Sequence, residues 1–193
     1  MTLQELHEKE KRRGVAGMIF VYKVAGSIAE TGASFEDVKK IALRTNENIR
    51  TIGIALTPCI LPQAGKPTFE IAHDEMEIGM GIHGEPGIRR GKLKSADEIS
   101  DELFYKLIED SNLNGGDRIS ILINSLGATP LEELYIVAQK LNSNFKSKKI
   151  DVIKSYVGRY ATSMEMSGMS ITTLKLDNEI ERHLLSDAEC PYW

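Results

Sequence analysis

The sequence predicts an α/β domain: a mixed sheet with helices packed on it, preceded by a helical hairpin. Three observations carry this expectation. Apolar residues recur at helical spacing between Val15 and Ala29 and again between Phe35 and Leu43. From Ile49 onward, short apolar runs alternate with longer amphipathic ones, the pattern of strands and helices sharing one core. The composition, 41% hydrophobic and 27% charged over 193 residues, is that of an ordinary globular chain and excludes disordered, collagenous and coiled-coil classes. The expected division is a helical lead-in over 1–48 and a two-layer or three-layer α/β domain over 49–193.

The elements follow in chain order. Val15, Met18, Ile19, Tyr22, Ala25, Ile28 and Ala29 form the apolar stripe of a first helix, which stops at Thr31-Gly32. Ser34 opens a second helix as a capping box with Asp37, and Phe35, Val38, Ile41 and Leu43 supply its expected buried side. IRTIGIAL (49–56) reads as a strand. Pro58, Pro62 and Pro67 then keep the following stretch out of helix, as a long ordered loop. MEIGMGI (76–82) reads as a strand with Gly79 and Gly81 on one bare face, which something must approach closely. Ser95 and Glu98 form a second capping box, opening a helix to about Glu109. RISILIN (118–124) is apolar enough to be buried on both faces. Thr129, Pro130 and Glu132 mark a further helix start, with Pro130 in the first helical position. A strand over about 150–158, a methionine-rich loop, the strand SITTLKL (170–176) and a short helix capped by Asp177 complete the chain.

Charge and cysteine usage exclude several functions. A formal net charge of −4, without a basic face or tail, argues against a nucleic-acid partner. The N-terminal residues are charged, and no segment approaches the roughly 18 uninterrupted apolar residues of a membrane span, so no membrane association is expected and the cytoplasm is the expected location. Cys59 and Cys190 match no metal-ligand spacing, the four histidines are scattered, and no metal site is expected. Walker, GxSxG and HExxH patterns are absent, and no GxGxxG opens a helix.

The chemistry-bearing segment is GMGIHGEPG (79–87), a histidine between glycine pairs at a strand end. Glycines let a ligand reach the backbone, and an imidazole there serves as base, metal ligand or covalent nucleophile, or simply as a hydrogen-bonded structural group. NSLGATP (124–130) offers a second loop, able to hold an anion at a helix start or to serve structure alone. The methionines of SMEMSGM read as core filler, and Glu75 and Glu77 as a solvated strand face.

RRGVAG (12–17), IGIALTPCILPQAGKPTF (52–69), EMEIGMGIHGEPGI (75–88), GDRISILINSLGATPLEELY (116–135) and GRYATSMEMSGMSITTLKLD (158–177) together resemble the substrate-binding K subunit of dihydroxyacetone kinases. The blocks occur in that family's order over nearly the whole chain, with Ser125 standing where the family's loop has Asn. The resemblance implies that His83 forms a covalent hemiaminal with the carbonyl carbon of dihydroxyacetone, flanked by Gly81 and Gly84 at the substrate. It covers only the C-terminal part of the family's subunit, so the upstream acid and base residues have no counterpart, and the chain alone is expected to be catalytically incomplete. The helical lead-in is expected to pack against that upstream domain. The chain is expected to bind no cofactor itself. ADP or ATP with magnesium belongs on a partner L subunit, charged by a phosphotransferase-system donor, and the K subunit is expected to be a homodimer. Two other roles fit the same resemblance: a ketose-binding co-activator or sensor, and a kinase for another short ketose such as erythrulose. An α/β interaction domain in which His83 is purely structural is the third possibility.

Overall fold

A single six-stranded mixed sheet organises the chain, in a computed structural model that describes residues 13–82 and 87–190. Its strands are β1 (Ile49–Ala55), β2 (Glu75–Ile78), β3 (Arg89–Lys92), β4 (Arg118–Ser125), β5 (Asp151–Gly158) and β6 (Gly168–Lys175). They lie in the order β3-β2-β1-β6-β4-β5, with β4 and β5 parallel and every other pair antiparallel. Five α-helices surround it: α1 (Met18–Glu30), α2 (Phe35–Glu47), α3 (Ala96–Ser111), α4 (Leu131–Ser147) and α5 (Asn178–Leu184), with a 3-10 turn at Val15–Gly17 leading into α1. The expected hairpin followed by a mixed α/β sheet is the observed architecture, and helices cover both faces of the sheet to make three layers.

Side-chain alternation decides which layer each residue serves. Ile119, Ile121 and Ile123 of β4 face α3 and α4, together with Ile52, Ile54 and Ile171. Leu103, Phe104, Leu107, Leu141 and Phe145 close that core from the helix side, and Phe104 meets Phe145 edge-on with ring centroids 5.0 Å apart. Leu122 of the same strand faces the other way, against Phe20, Val24, Ile28, Ile41 and the α5 residues Ile180 and Leu184. The expected capping box forms in full at Ser95, where Ser95 and Glu98 exchange both reciprocal bonds, whereas at Ser34 the cap forms without the box: Ser34 Oγ accepts from Asp37 N, and its hydroxyl donates to Asp37 Oδ2. Pro130, however, is the N-cap of α4 and not its first helical residue. The Thr129 hydroxyl is already committed to Gly168, donating to its carbonyl and accepting from its N–H at 2.8 Å each, which holds the helix start one residue later.

The hairpin shares with the stripe that periodicity suggests only the buried Ile28 and the marginal Val15 and Ile19. Ala16, Phe20, Val24 and Ile28 face the sheet, whereas Tyr22 is 65% exposed and Met18 is also exposed. Both stripes are apolar and lie side by side on one helix, so the docking partner selects between them. Phe20 wins its place against Tyr156, edge-on at 5.8 Å. On α2, Ile41 and Thr45 are buried and Val38 packs at the margin, while Phe35 is 76% exposed and Leu43 is exposed.

The strand expected over 76–82 ends at Ile78, because Gly79 adopts φ +84°, a left-handed conformation that leaves the ladder. A strand missed in the sequence, β3, takes up the far side of β2. RRGK has no apolar alternation and forms only through pairing, with Glu75 opposite Lys92 and Glu77 opposite Arg90.

Candidate functional site

The site is built where the chain leaves β2 beside β1 and enters β3. Gly79 N donates to Gly53 O at 2.7 Å, one step beyond the Ile54–Ile78 pair, and Met80 O lies 3.5 Å from where a Cβ on Gly53 would stand. Met80 is then buried with Ala55, Cys59, Leu126 and Met166, and Val15, Phe69 and Ile82 pack at the margin. This small apolar cluster joins the 3-10 turn, the proline-rich loop and the β4–α4 loop around the outgoing segment. Gly81 is buried beside it. His83, Gly84, Glu85 and Pro86 lie outside the described residues. The close approach expected at the glycines is realised by the protein itself, since a Cβ on Gly79 would lie 2.6 Å from Ile88 Cγ1.

Glu77 corrects the expectation of a solvated strand face. It is 6% exposed, and both of its carboxylate oxygens are used. Oε1 accepts from Gly87 N at 2.6 Å, and Oε2 accepts from Arg90 Nε at 3.0 Å and Nη2 at 2.7 Å. The hydrogen bond to Glu77 holds the Arg90 guanidinium more firmly protonated than usual. Glu75, by contrast, is half-buried and accepts from Ala72 N at 3.1 Å. The signal that could have revealed Glu77 is a charge match across the segment: Glu75 and Glu77 before it, Lys92 and Arg90 after it, in hairpin register.

The NSLGATP loop is committed to structure. Gly127 N donates to Ser125 Oγ at 3.2 Å, Ala128 N to Met166 O at 3.0 Å and Leu126 N to Gly168 O at 3.0 Å, so these N–H groups are not available to an anion. Asn124, fully buried, ties the same loop to its neighbour. Its Oδ1 accepts from Tyr160 N at 2.7 Å and Ala161 N at 2.9 Å, and its Nδ2 donates to Ala161 O at 2.8 Å. Met166 and Met169 are core residues, as expected, while Met164 is exposed. Cys59 is a buried free thiol within 3.3 Å of Ser163 Oγ, and Cys190 is exposed and free. Among the described residues no group of three or more His, Cys, Asp or Glu side chains is placed to hold a metal ion, and no described helix is long and apolar enough to cross a membrane.

Comparison with known proteins places this architecture. The dihydroxyacetone-binding subunit DhaK of PTS-dependent dihydroxyacetone kinase 1 from Listeria innocua is 43% identical over 168 residues, covering 87% of this chain and 51% of the relative. The L-erythrulose kinase of Pectobacterium atrosepticum is 37% identical over 190 residues, covering 96% of this chain and 32% of that enzyme. A solved structure, the dihydroxyacetone kinase operon co-activator Dha-DhaQ, superposes with a TM-score of 0.83 at 34% identity, over 89% of this chain and 53% of the co-activator. The chain thus spans about half the length of the dihydroxyacetone-binding subunit and about a third of the erythrulose kinase. The Dak1 domain model matches residues 1–192, and with it the chain belongs to the Dak1 domain family.

Proposed function

We propose that this chain is the ketose-binding part of a dihydroxyacetone-type kinase and holds its substrate through a hemiaminal to His83. The observation that supports this most directly is the Dak1 match, whose span of residues 1–192 includes the 79–87 segment. The architecture is compatible with it, since the paired strands β2 and β3 flank the segment that carries His83. The step itself is a simple addition. The lone pair of a neutral imidazole nitrogen attacks the ketone carbon, the C=O π pair moves to oxygen, and the proton on the other ring nitrogen passes through solvent to that oxygen. Nothing leaves, so the adduct is reversible. A tether of this kind compensates for how little surface a triose offers, and it rejects glycerol, which has no carbonyl. With the ketose fixed, phosphoryl transfer to its terminal hydroxyl needs chiefly alignment with a donor on a partner L subunit, where ADP held with magnesium would first be rephosphorylated to ATP by a phosphotransferase-system protein and would be left again as ADP after the transfer. We place the protein in the cytoplasm as a homodimer.

A second reading, a ketose-responsive co-activator, is favoured by the superposition on Dha-DhaQ, and the erythrulose kinase relative extends the substrate class to four carbons. Dihydroxyacetone labelled with 13C at the carbonyl tests the central claim. The expected result is a ketone resonance that moves to the sp3 region with the wild-type chain and stays in place with His83→Ala. An unshifted resonance with the wild-type chain, or a shift that survives in His83→Ala, overturns the proposal. Adding an L subunit charged by its phosphotransferase system then separates the two roles: sugar phosphate supports the kinase, and adduct without turnover supports the co-activator.

A further inference from the structure

A cavity of about 660 Å³ opens between α1, α2 and α5, on the face of the sheet opposite α3 and α4. That volume is typical of a site for a small organic ligand. Ile28, Ala33 and Ile41 give it an apolar wall, and its polar lining includes Ser27, Lys40, Arg182 and His183.

The protons of the polar lining run one way. Arg182 Nη2 lies 3.2 Å from His183 Nε2, and a guanidinium can only donate, so Nε2 accepts and the ring proton sits on Nδ1. Burial, and after it the Arg182 charge, holds His183 below the ordinary histidine range, which agrees with a neutral ring. Nδ1–H therefore donates to Ser27 Oγ at 2.9 Å. Ser186 Oγ accepts from the buried Lys23 Nζ at 2.8 Å and shares its own proton between Ser27 Oγ and His183 O, each 2.8 Å away. Ser27 Oγ is thus an acceptor in both of its contacts, and its own proton has no acceptor among the described residues. In this tautomer His183 cannot take the serine proton, so the pair is a donor to a ligand and not a hydrolytic dyad. The charges agree. Arg44 is paired with Asp177 at 3.3 Å and with Glu179, whereas Lys40 and Arg182 have no carboxylate partner among the described residues. Asp37, the remaining carboxylate on the lining, accepts from the Ser34 hydroxyl at 2.6 Å.

We propose that this cavity binds a small organic anion, a carboxylate or a phosphate ester, whose charged group meets Arg182, Lys40 and the Ser27 hydroxyl and whose apolar part lies on Ile28, Ala33 and Ile41. A guanidinium fork suits both kinds of oxyanion. The site is separate from the 79–87 segment and does not depend on the ketose-binding reading, because an uncharged ketose offers these cations no partner.

Calorimetric titration of the wild-type chain with hexanoate, butyl phosphate and the uncharged hexanamide tests this, together with Lys40→Gln, Arg182→Gln and the double variant. Lys40 and Arg182 are exposed, so unchanged Tm values are expected and verify that the variants remain folded. The expected result is saturable binding of hexanoate or butyl phosphate and none of hexanamide, with the tighter anion identifying the headgroup. Each single variant should bind that anion about 5-fold more weakly, as for one charge-assisted contact at a partly exposed site, and the double variant at least about 10-fold more weakly. Amide shifts on titration should fall on Ser27, Ile28 and Ile41. Failure of both anions to saturate by about 10 mM overturns the proposal. So does hexanamide binding as tightly as hexanoate, which would make the cavity a plain apolar groove. Wild-type affinity in the double variant overturns it as well, because the anion would then lie elsewhere.

Discussion

Asn124→Ala removes the one side chain that satisfies three backbone groups of the turn after β5. Asn124 is fully buried, accepts from the N–H of Tyr160 and of Ala161, donates to the carbonyl of Ala161, and makes a longer contact of 3.3 Å to Ser170 Oγ. Alanine leaves two donors and one acceptor without their partner. Tyr160 and Ala161 are only half-buried, so water reaches part of the vacated volume and the loss sits at the lower end of the range for orphaned groups. At ~1 kcal/mol for each of the three, the expected destabilisation is about 3 kcal/mol. For a chain of this length that corresponds to a fall in Tm of roughly 6–12 °C. The assay is thermal unfolding followed by far-ultraviolet circular dichroism, with Ser170→Ala as a control that loses only the long contact and is expected to fall by less than about 1 kcal/mol. A Tm loss in Asn124→Ala no larger than that of Ser170→Ala would refute the accounting, because it would mean that water replaces the amide at no cost.

Two further predictions concern titration. His183 is 4% exposed, with Nδ1 2.9 Å from Ser27 Oγ and Nε2 3.2 Å from Arg182 Nη2, and burial, then the Arg182 and Lys23 charges, lower its pKa despite Glu179. The folded value lies below the unfolded one, so the unfolded chain binds the proton more readily. The contribution is present above about pH 6.5 and is lost as the pH falls from there through the folded value. Urea midpoints should therefore drop on acidification through this range, and His183→Gln should flatten the drop. An identical pH slope in both proteins would contradict this. Tyr156 is shifted in the opposite sense, pushed up to about 12 by burial, and Tyr160 is raised for the same main reason. The neutral phenol is favoured in the folded state, so its stabilisation holds below the ordinary tyrosine value and is lost as the pH rises through the folded one. Tyrosinate absorbance should show a late-titrating component that Tyr156→Phe removes, and a single ordinary transition in the wild-type protein would argue against this burial.

The elements legible in the sequence are those encoded by neighbours along the chain. Ser34 and Ser95 cap their helices where expected, because a cap is a contact between residues three apart. RISILIN became a central strand buried on both sides, because a continuous apolar run has no face to give to water. The order of motif blocks was enough to suggest the family. Other features depended on partners that only the fold supplies. The choice between Phe20 and Tyr22 turned on what the sheet offered opposite α1, and the expected stripe lost. The strand at Arg89–Lys92 exists because β2 presents two glutamates to it, and the burial of Glu77 follows from the same pairing. Local periodicity determined by itself that this protein is a capped, layered α/β domain, since helix and strand propensity act over a few bonds. Which charge is buried and where the histidine segment is anchored were decided by tertiary structure alone, because desolvation and ion pairing depend on groups brought together from distant positions in the chain.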